Sequence, residues 1–323
     1  MMVEKNQVYR EKFLARLNKK LSQPTADWPS VRCWAATRLK VVFKSVRDEL
    51  ETEGFKSLMS QSALLDWLCE IGLASHITLD DCKVPLLELG VANQRDQVDV
   101  SPLELLMAAK PSGVICYFSA VAFHALTTQI VEHHHVAELN DPNIESQDNS
   151  IKSQDPEEDR LIPSAKRRAV PSLGTLLFRF HGVPYFKTRR SSRMIPGFQT
   201  RCYGPRTNIR ITTLEQTLLD TLHKPFYCGG PEVVFEAWQG AIGSQRIDED
   251  RLVGYLKAMN YPATTRRLGV MYDLVGGRPG DELLSFLHDT QVVIDRHSPH
   301  VCISLLPGVG FQNLRNDWLV YTP

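Results

Sequence analysis

The residues predict an α+β chain: an N-terminal helical domain of the winged helix-turn-helix kind, followed by a mixed α/β C-terminal part. Three observations carry this. The first seventy or so residues read as successive helical periods. An apolar run at 113–118 reads as a buried strand feeding a helix. From Leu173 short alternating segments appear, and after Ile211 the pattern turns helical again. At 323 residues the chain has room for two domains and a sizeable core. We place the border near residue 100, giving domains at 1–100 and 101–323.

Taken in order, residues 1–22 read as a basic helix, which 23–29 break. Residues 30–53 read as a long helix with Ser30 as its cap. Trp34, Leu39, Val42, Phe43, Val46 and Leu50 lie on one side, and Lys40, Lys44 and Arg47 on the other. A third helix covers about 57–72 and stops at Gly72, with Leu58, Ala63, Leu65, Trp67 and Leu68 as core. Residues 73–79 and the alternating 97–100 read as strands. Ser101 opens a helix through Ala109. The run at 113–118 reads as a buried strand, with Ser119 capping a helix through about Thr127. An acidic insertion at 137–165 is expected to be disordered. Strands are expected at 175–180, 183–187, 198–203 and 207–211, with Arg179, Arg201 and Arg210 alternating with apolar neighbours. Helices are expected at 213–223, 231–241, 249–259, 264–275 and 281–288, and strands at 301–306 and 318–321.

The best-punctuated stretch runs from Thr212 to Pro231. Thr212 or Thr213 can cap a helix, with Glu215 or Gln216 reaching back to the cap amide. Leu214, Leu218 and Leu222 give one apolar side. Pro225 sets the stop, because the residue before proline avoids the helical region. Gly229-Gly230 makes a turn, and Pro231 starts the next helix where no amide is needed.

Composition bounds the function. Hydrophobic content is 43% and charged content 23%, ordinary for a globular protein. No apolar run is long enough to span a bilayer, and the charged N-terminus lacks the apolar centre of a signal peptide, so a cytoplasmic chain without membrane partner is expected. The seven cysteines form no Cys-x-x-Cys pair, which argues against a disulfide framework or a zinc ribbon. The net charge of zero hides an asymmetry. Residues 5–47 carry eleven Lys and Arg against two acids, 166–214 carry eleven and no acid, and 137–159 carry eight acids and one lysine. Local charge, not the average, sets the field a partner meets.

Two basic sets are therefore candidates for DNA contact. In the N-terminal domain they are Arg32, Arg38, Lys40, Lys44, Arg47 and Lys56, with Ser60, Gln61 and Ser62 at the start of the third helix as types able to touch bases or phosphates. In the C-terminal part they are Lys187, Arg189, Arg190, Arg193 and Arg201, whose residue types suit phosphate contacts. The alternative for this second set is a solvated rim that pairs with acids elsewhere, and for Ser60, Gln61 and Ser62 it is a plain helix cap. His133-His134-His135 cannot all face one ion on a regular element, and a surface loop is expected there rather than a metal site. Glu215 and Asp220 stand about 140° apart on a helix and do not converge. No phosphate loop, nucleophile elbow or zinc-protease motif is present, so no enzyme, metal or cofactor is expected.

Three of these places, in order, resemble the AbiEi-type antitoxins. The strand and helix around Tyr117, Ser119, His124 and Leu126 look like that family's strand-serine-helix, with Ala125 where glycine is usual. The Thr212–Gly230 stretch, with Glu215, Asp220, Pro225, Gly229 and Gly230, is similar to its second motif, with Gln216 where arginine is common. Arg266-Arg267-Leu268-Gly269 looks like its third. The resemblance covers about 110–277, roughly half the chain. It implies a winged helix that binds and represses its own promoter. It also implies an antitoxin part that counteracts a nucleotidyltransferase toxin in a type IV toxin-antitoxin, phage-defence system, without the two needing to form a complex. A DNA-binding regulator of a defence locus with no toxin to oppose is the alternative.

Overall fold

The computed structural model describes residues 2–55, 60–90, 100–140, 172–203, 207–296, 302–310 and 312–323. Helices and strands are mixed along the chain, giving an α+β protein. It divides into two units. Unit 1 is Met1–Gly113 with Leu177–Tyr185 and Thr200–Arg210. Unit 2 is Val114–Leu176, Phe186–Gln199 and Ile211–Pro323.

Unit 1 runs α1 (Met2–Leu21), β1 (Cys33–Ala35), α2 (Ala36–Thr52), α3 (Gln61–Glu70), β2 (Ala74–His76), β3 (Leu86–Leu89) and α4 (Pro102–Ala109). The strands form an antiparallel sheet in the order β1-β3-β2. Leu39, Val42, Phe43, Val46 and Leu50 recur at helical spacing on α2 and are buried with Phe13 and Leu17 of α1 and Leu64 and Leu68 of α3. Each such side chain contributes about 1.5–3 kcal/mol on burial.

The expected helix from 30 starts later. Ser30 does not cap it. Its hydroxyl accepts from the amides of Arg32 (3.3 Å) and Cys33 (3.1 Å), a turn that launches β1. Cys33, Trp34 and Ala35 are all buried, and a short strand buried on both faces has no alternation to betray it. The third helix starts at Gln61, where Ser60 accepts from the Ala63 amide at 3.1 Å. The expected strand at 73–79 is the shorter β2, and residues 97–99 lie outside the described residues.

Unit 2 opens with β4 (Val114–Ile115), α5 (Phe118–Phe123) and β5 (His134–Asn140). Two pairs of consecutive strands follow, β6 (Thr175–Phe180) with β7 (Val183–Ser191), and β8 (Phe198–Cys202) with β9 (Asn208–Thr212). The sheet order is β6-β7-β5-β4-β9-β8, with β4 antiparallel to β5 and parallel to β9. Residues 177–185 and 200–210 group with unit 1. Then come α6 (Leu214–His223), α7 (Pro231–Gly243), α8 (Glu249–Met259), α9 (Pro262–Leu274) and α10 (Asp281–Arg296). Three short strands close the chain, β10 (Ile303–Ser304), β11 (Asn313–Arg315) and β12 (Val320–Thr322), ordered β10-β12-β11.

Three expectations change here. The histidine row is not a surface loop: His134 and His135 open β5, His133 directly precedes it, and all three are buried. The same strand takes in 137–140, the first residues of the expected disordered insertion, while 141–165 lie outside the described residues. Ser119 is not a cap either. It sits inside the first turn of α5, after Tyr117, which turns strand into helix at φ 56° and ψ −134°. A non-glycine residue held there costs on the order of 1–3 kcal/mol. Among the described residues no helix is long and apolar enough to cross a membrane.

Candidate functional site

In unit 1 the basic block divides by what each cation touches. Arg10 stacks over Trp67 (5.0 Å) and Lys12 over Phe55 (4.0 Å). Arg16 pairs with Glu53, and Lys20 with Glu49 at 2.6 Å. These groups fasten α1 to its neighbours. Arg32 is ion-paired to Glu88 at 2.7 Å, with Glu104 at 3.9 Å. Partial burial opposes its charge, but the Glu88 bond and charge outweigh that and raise its pKa. Arg38 donates to the Asp27 carbonyl at 2.9 Å and lies over Trp28, and partial burial lowers its pKa. Arg32 and Arg38, both expected at DNA, are therefore occupied in the fold. Lys56 lies outside the described residues.

Lys40, Lys44 and Arg47 differ. They occupy the outer side of α2 and are exposed or half-exposed. On α3, Ser60 and Ser62 are exposed and Gln61 is half-buried, at the amino end where amides and dipole favour an anion. Thus six of the nine N-terminal candidates remain available at the surface of unit 1.

The second basic set scatters. Arg189 and Arg193 are exposed in unit 2, and Arg201 is exposed in unit 1. Lys187 is half-buried and bonded to Glu138 at 3.2 Å. Arg190 faces the interior, because successive residues of β7 point to opposite faces. Its side chain is 2% exposed and is ion-paired at 2.8 Å to Asp220, which is 0% exposed. Burial alone would disfavour its charge. The neighbouring Asp220 overrides this and drives its pKa upward, so Arg190 keeps its charge. Arg190 cannot serve as a phosphate contact in this fold.

Around that pair lies a buried polar centre. Gln216 donates to Asp220 (3.0 Å) and to the Met194 carbonyl (3.1 Å), and it accepts from the Gly197 amide (3.2 Å). It therefore does not close a capping box. Thr213 caps α6 by accepting from the Gln216 amide at 3.3 Å. Glu215 instead accepts from the amide of Asp248 at 3.3 Å. The Arg190 guanidinium lies over the Tyr117 ring at 5.1 Å, and that ring meets Tyr227 and His135 edge-on. His223 is buried at the end of α6.

The histidines line the other side. His133 bonds the Tyr227 carbonyl (3.1 Å), and His135 bonds the Leu173 carbonyl (2.9 Å). His134 meets Ser119 at 3.1 Å, while the same Ser119 oxygen accepts from the His135 amide at 3.0 Å. Burial pushes His134 down to about 4 and His135 to about 3, with the other histidines adding to it. Ser119 and His134 resemble a nucleophile and base only on paper. Ser119 is 1% exposed, and its oxygen is already engaged. Among the described residues no group of three or more His, Cys, Asp or Glu could hold a metal ion.

The remaining motif residues also build the frame. His124 bonds the Thr212 carbonyl at 2.8 Å. Pro225 opens a short 3-10 turn, and Gly229 takes φ 100°, where a Cβ would strike Val233 and Phe118. Gly230 takes φ 97° and hands over to Pro231 at the start of α7. Arg266 donates to the carbonyls of Trp318 (2.7 Å) and Leu319 (2.6 Å), and Arg267 to that of Ser304 (2.9 Å). Gly269 leaves room for Trp318, whose ring would lie 2.3 Å from an added Cβ. These three residues of α9 dock the C-terminal sheet.

One group escaped the sequence reading. In unit 1, Asp80 in the β2–β3 loop and Arg179 in β6 exchange two backbone hydrogen bonds, at 3.0 and 2.8 Å. The Arg179 side chain reaches Asp81 at 3.4 Å. The visible signal was a pair of adjacent acids, Asp80-Asp81, just after the expected strand at 73–79.

No family model matches the chain, and no curated protein matches it. Among solved structures the chain is similar to the crystal structure of the RV2827C protein from Mycobacterium tuberculosis. The similarity is at 10% identity and a TM-score of 0.48, over 90% of this chain and 86% of that one.

Proposed function

We propose that this chain is a cytoplasmic DNA-binding transcriptional regulator and antitoxin of the AbiEi type, which represses its own promoter and counteracts a nucleotidyltransferase toxin. The observation that carries the DNA half is the element order of unit 1. Helix, strand, helix, helix, strand and strand, with the sheet in the order β1-β3-β2, supports a winged-helix reading of this unit. In that reading α3 is the recognition helix, with Ser60, Gln61 and Ser62 at its entry, and Lys40, Lys44 and Arg47 grip the backbone. Arg189, Arg193 and Arg201 are exposed and add non-specific contacts.

The antitoxin half rests on the three sequence motifs. Their residues, Ser119, His124, Glu215, Asp220, Pro225, Gly229, Gly230, Arg266, Arg267 and Gly269, all have framework roles in unit 2, which fits a non-enzymatic protein whose motifs keep a fold. Two experiments divide the reading. Full-length protein should bind a duplex from upstream of its own gene, with affinity falling steeply as salt rises. Co-expression should restore growth to bacteria expressing the adjacent toxin gene. Loss of rescue with binding intact leaves the regulator without antitoxin activity, and absence of binding removes the regulator.

A further inference from the structure

The β2–β3 loop occupies the wing position in the reading proposed above, and this inference rests on that reading. A wing meets the phosphate backbone, yet this loop carries two carboxylates, Asp80 and Asp81, against one cation, Lys83. Left alone it would repel the surface it is meant to approach. Asp81 holds its backbone at φ 57°, and its side chain is 61% exposed, so the turn presents that carboxylate outward.

Arg179 answers both problems. It comes from β6, nearly a hundred residues further along the chain, but belongs to unit 1. Its amide donates to the Asp80 carbonyl (2.8 Å) and its carbonyl accepts from the Asp80 amide (3.0 Å), so the loop is held as a short antiparallel ladder. Its guanidinium lies 3.4 Å from Asp81 and brings the loop's charge to balance. We infer that Arg179 is a positioning residue for the double-helix contact, fixing the wing and screening its acid pair from phosphate. The turn that follows it, His181-Gly182, is exposed and belongs to unit 1.

The test uses the full chain and a fluorescein-labelled duplex from upstream of its own coding sequence, at two salt concentrations. Hydrogen exchange is followed over 77–85, with thermal melting as the check on folding. Arg179→Glu sets three carboxylates together and should weaken binding by about tenfold while speeding exchange in the loop. Arg179→Lys should bind within about threefold of the parent and keep the loop protected. The charge swap Arg179→Glu with Asp81→Arg should recover both binding and protection. The salt slope of Arg179→Gln should match the parent's, since a positioning residue neutralises no phosphate itself.

Parent-like binding by Arg179→Glu overturns the inference and leaves the proposed function standing. So does unchanged exchange over 77–85 in that variant. A parent protein that binds no duplex overturns both.

Discussion

On α2 of unit 1, Lys40, Lys44 and Arg47 lie along the outer side of a helix whose inner side is wholly apolar. In unit 2, Arg190, Arg266 and Arg267 lie inside, each bonded to a carboxylate or to backbone carbonyls. Both sets are basic residues, and Arg190 lies in a basic stretch just as the α2 cations do. The outer ones keep at least part of the side chain in water, Lys44 most of all, and can be given to a partner at little cost. The inner ones have lost their water, and the fold depends on their bonds. A count of positive charges does not separate the two. What separates them is whether a specific acceptor lies within reach in the folded chain.

Three measurements would break or sharpen this contrast. The largest effect is expected at the buried pair. Asp220→Ala strands the Arg190 charge and should cost about 3–5 kcal/mol of unfolding free energy, read by denaturant titration. Replacing both residues with apolar ones should recover part of that loss. If Asp220→Ala were nearly neutral, the interior reading of Arg190 would fail.

Acid should come next. His134 and His135 have folded pKa values of about 4 and about 3, below the ordinary value near 6.5. The unfolded chain therefore binds more protons below pH 6.5. Their contribution to stability is complete above that pH and drains away as pH falls towards 4 and 3. For His134 this amounts to about 3 kcal/mol. Equilibrium unfolding at pH 7 and pH 4, compared between the parent and His134→Gln, reads it. A parent no less stable at pH 4 would contradict the burial of the row.

The smallest effect on stability is expected on α2. Changing Lys40, Lys44 and Arg47 together to glutamine should alter unfolding free energy by no more than about 0.5 kcal/mol. The same change should lower the salt slope of DNA binding by about 0.9 for each phosphate left without its cation. A large loss of stability would place these residues with the interior arginines.

Much of the frame was legible because it follows local rules. The apolar period on α2, Ser60 as a cap, Thr213 as a cap, Pro225 as a stop and Gly229-Gly230 as a turn all express neighbours a few residues apart. The rest depends on distant partners. β1 was hidden because Cys33, Trp34 and Ala35 are buried on both faces. The histidine row read as a surface loop because three consecutive histidines cannot share one ion, yet Ser119 and the carbonyls of Tyr227 and Leu173 each bond one ring inside. Glu215 and Gln216 invite a capping box, but Asp248 and Gly197 offer them other bonds. Within the candidate interface, Lys40, Lys44 and Arg47 could be placed outward from periodicity alone. That Arg32 and Arg38 are occupied depends on Glu88 and on the Asp27 carbonyl, which no helical period encodes.

The way unit 1 is assembled also sets when it can be finished. Its last pieces are Leu177–Tyr185 and Thr200–Arg210. Until they exist the Pro29 carbonyl lacks the Asn208 amide, Glu104 lacks the Thr207 hydroxyl and Asp80 lacks its strand partner. A ribosome must add about a hundred residues after Gly113 to supply them. At ordinary rates of about 5–20 residues per second that takes roughly 5–20 s. During that interval the amino-terminal helices wait on the nascent chain for partners still to be translated, and this stage of synthesis is where a chaperone or a protease would compete for the protein.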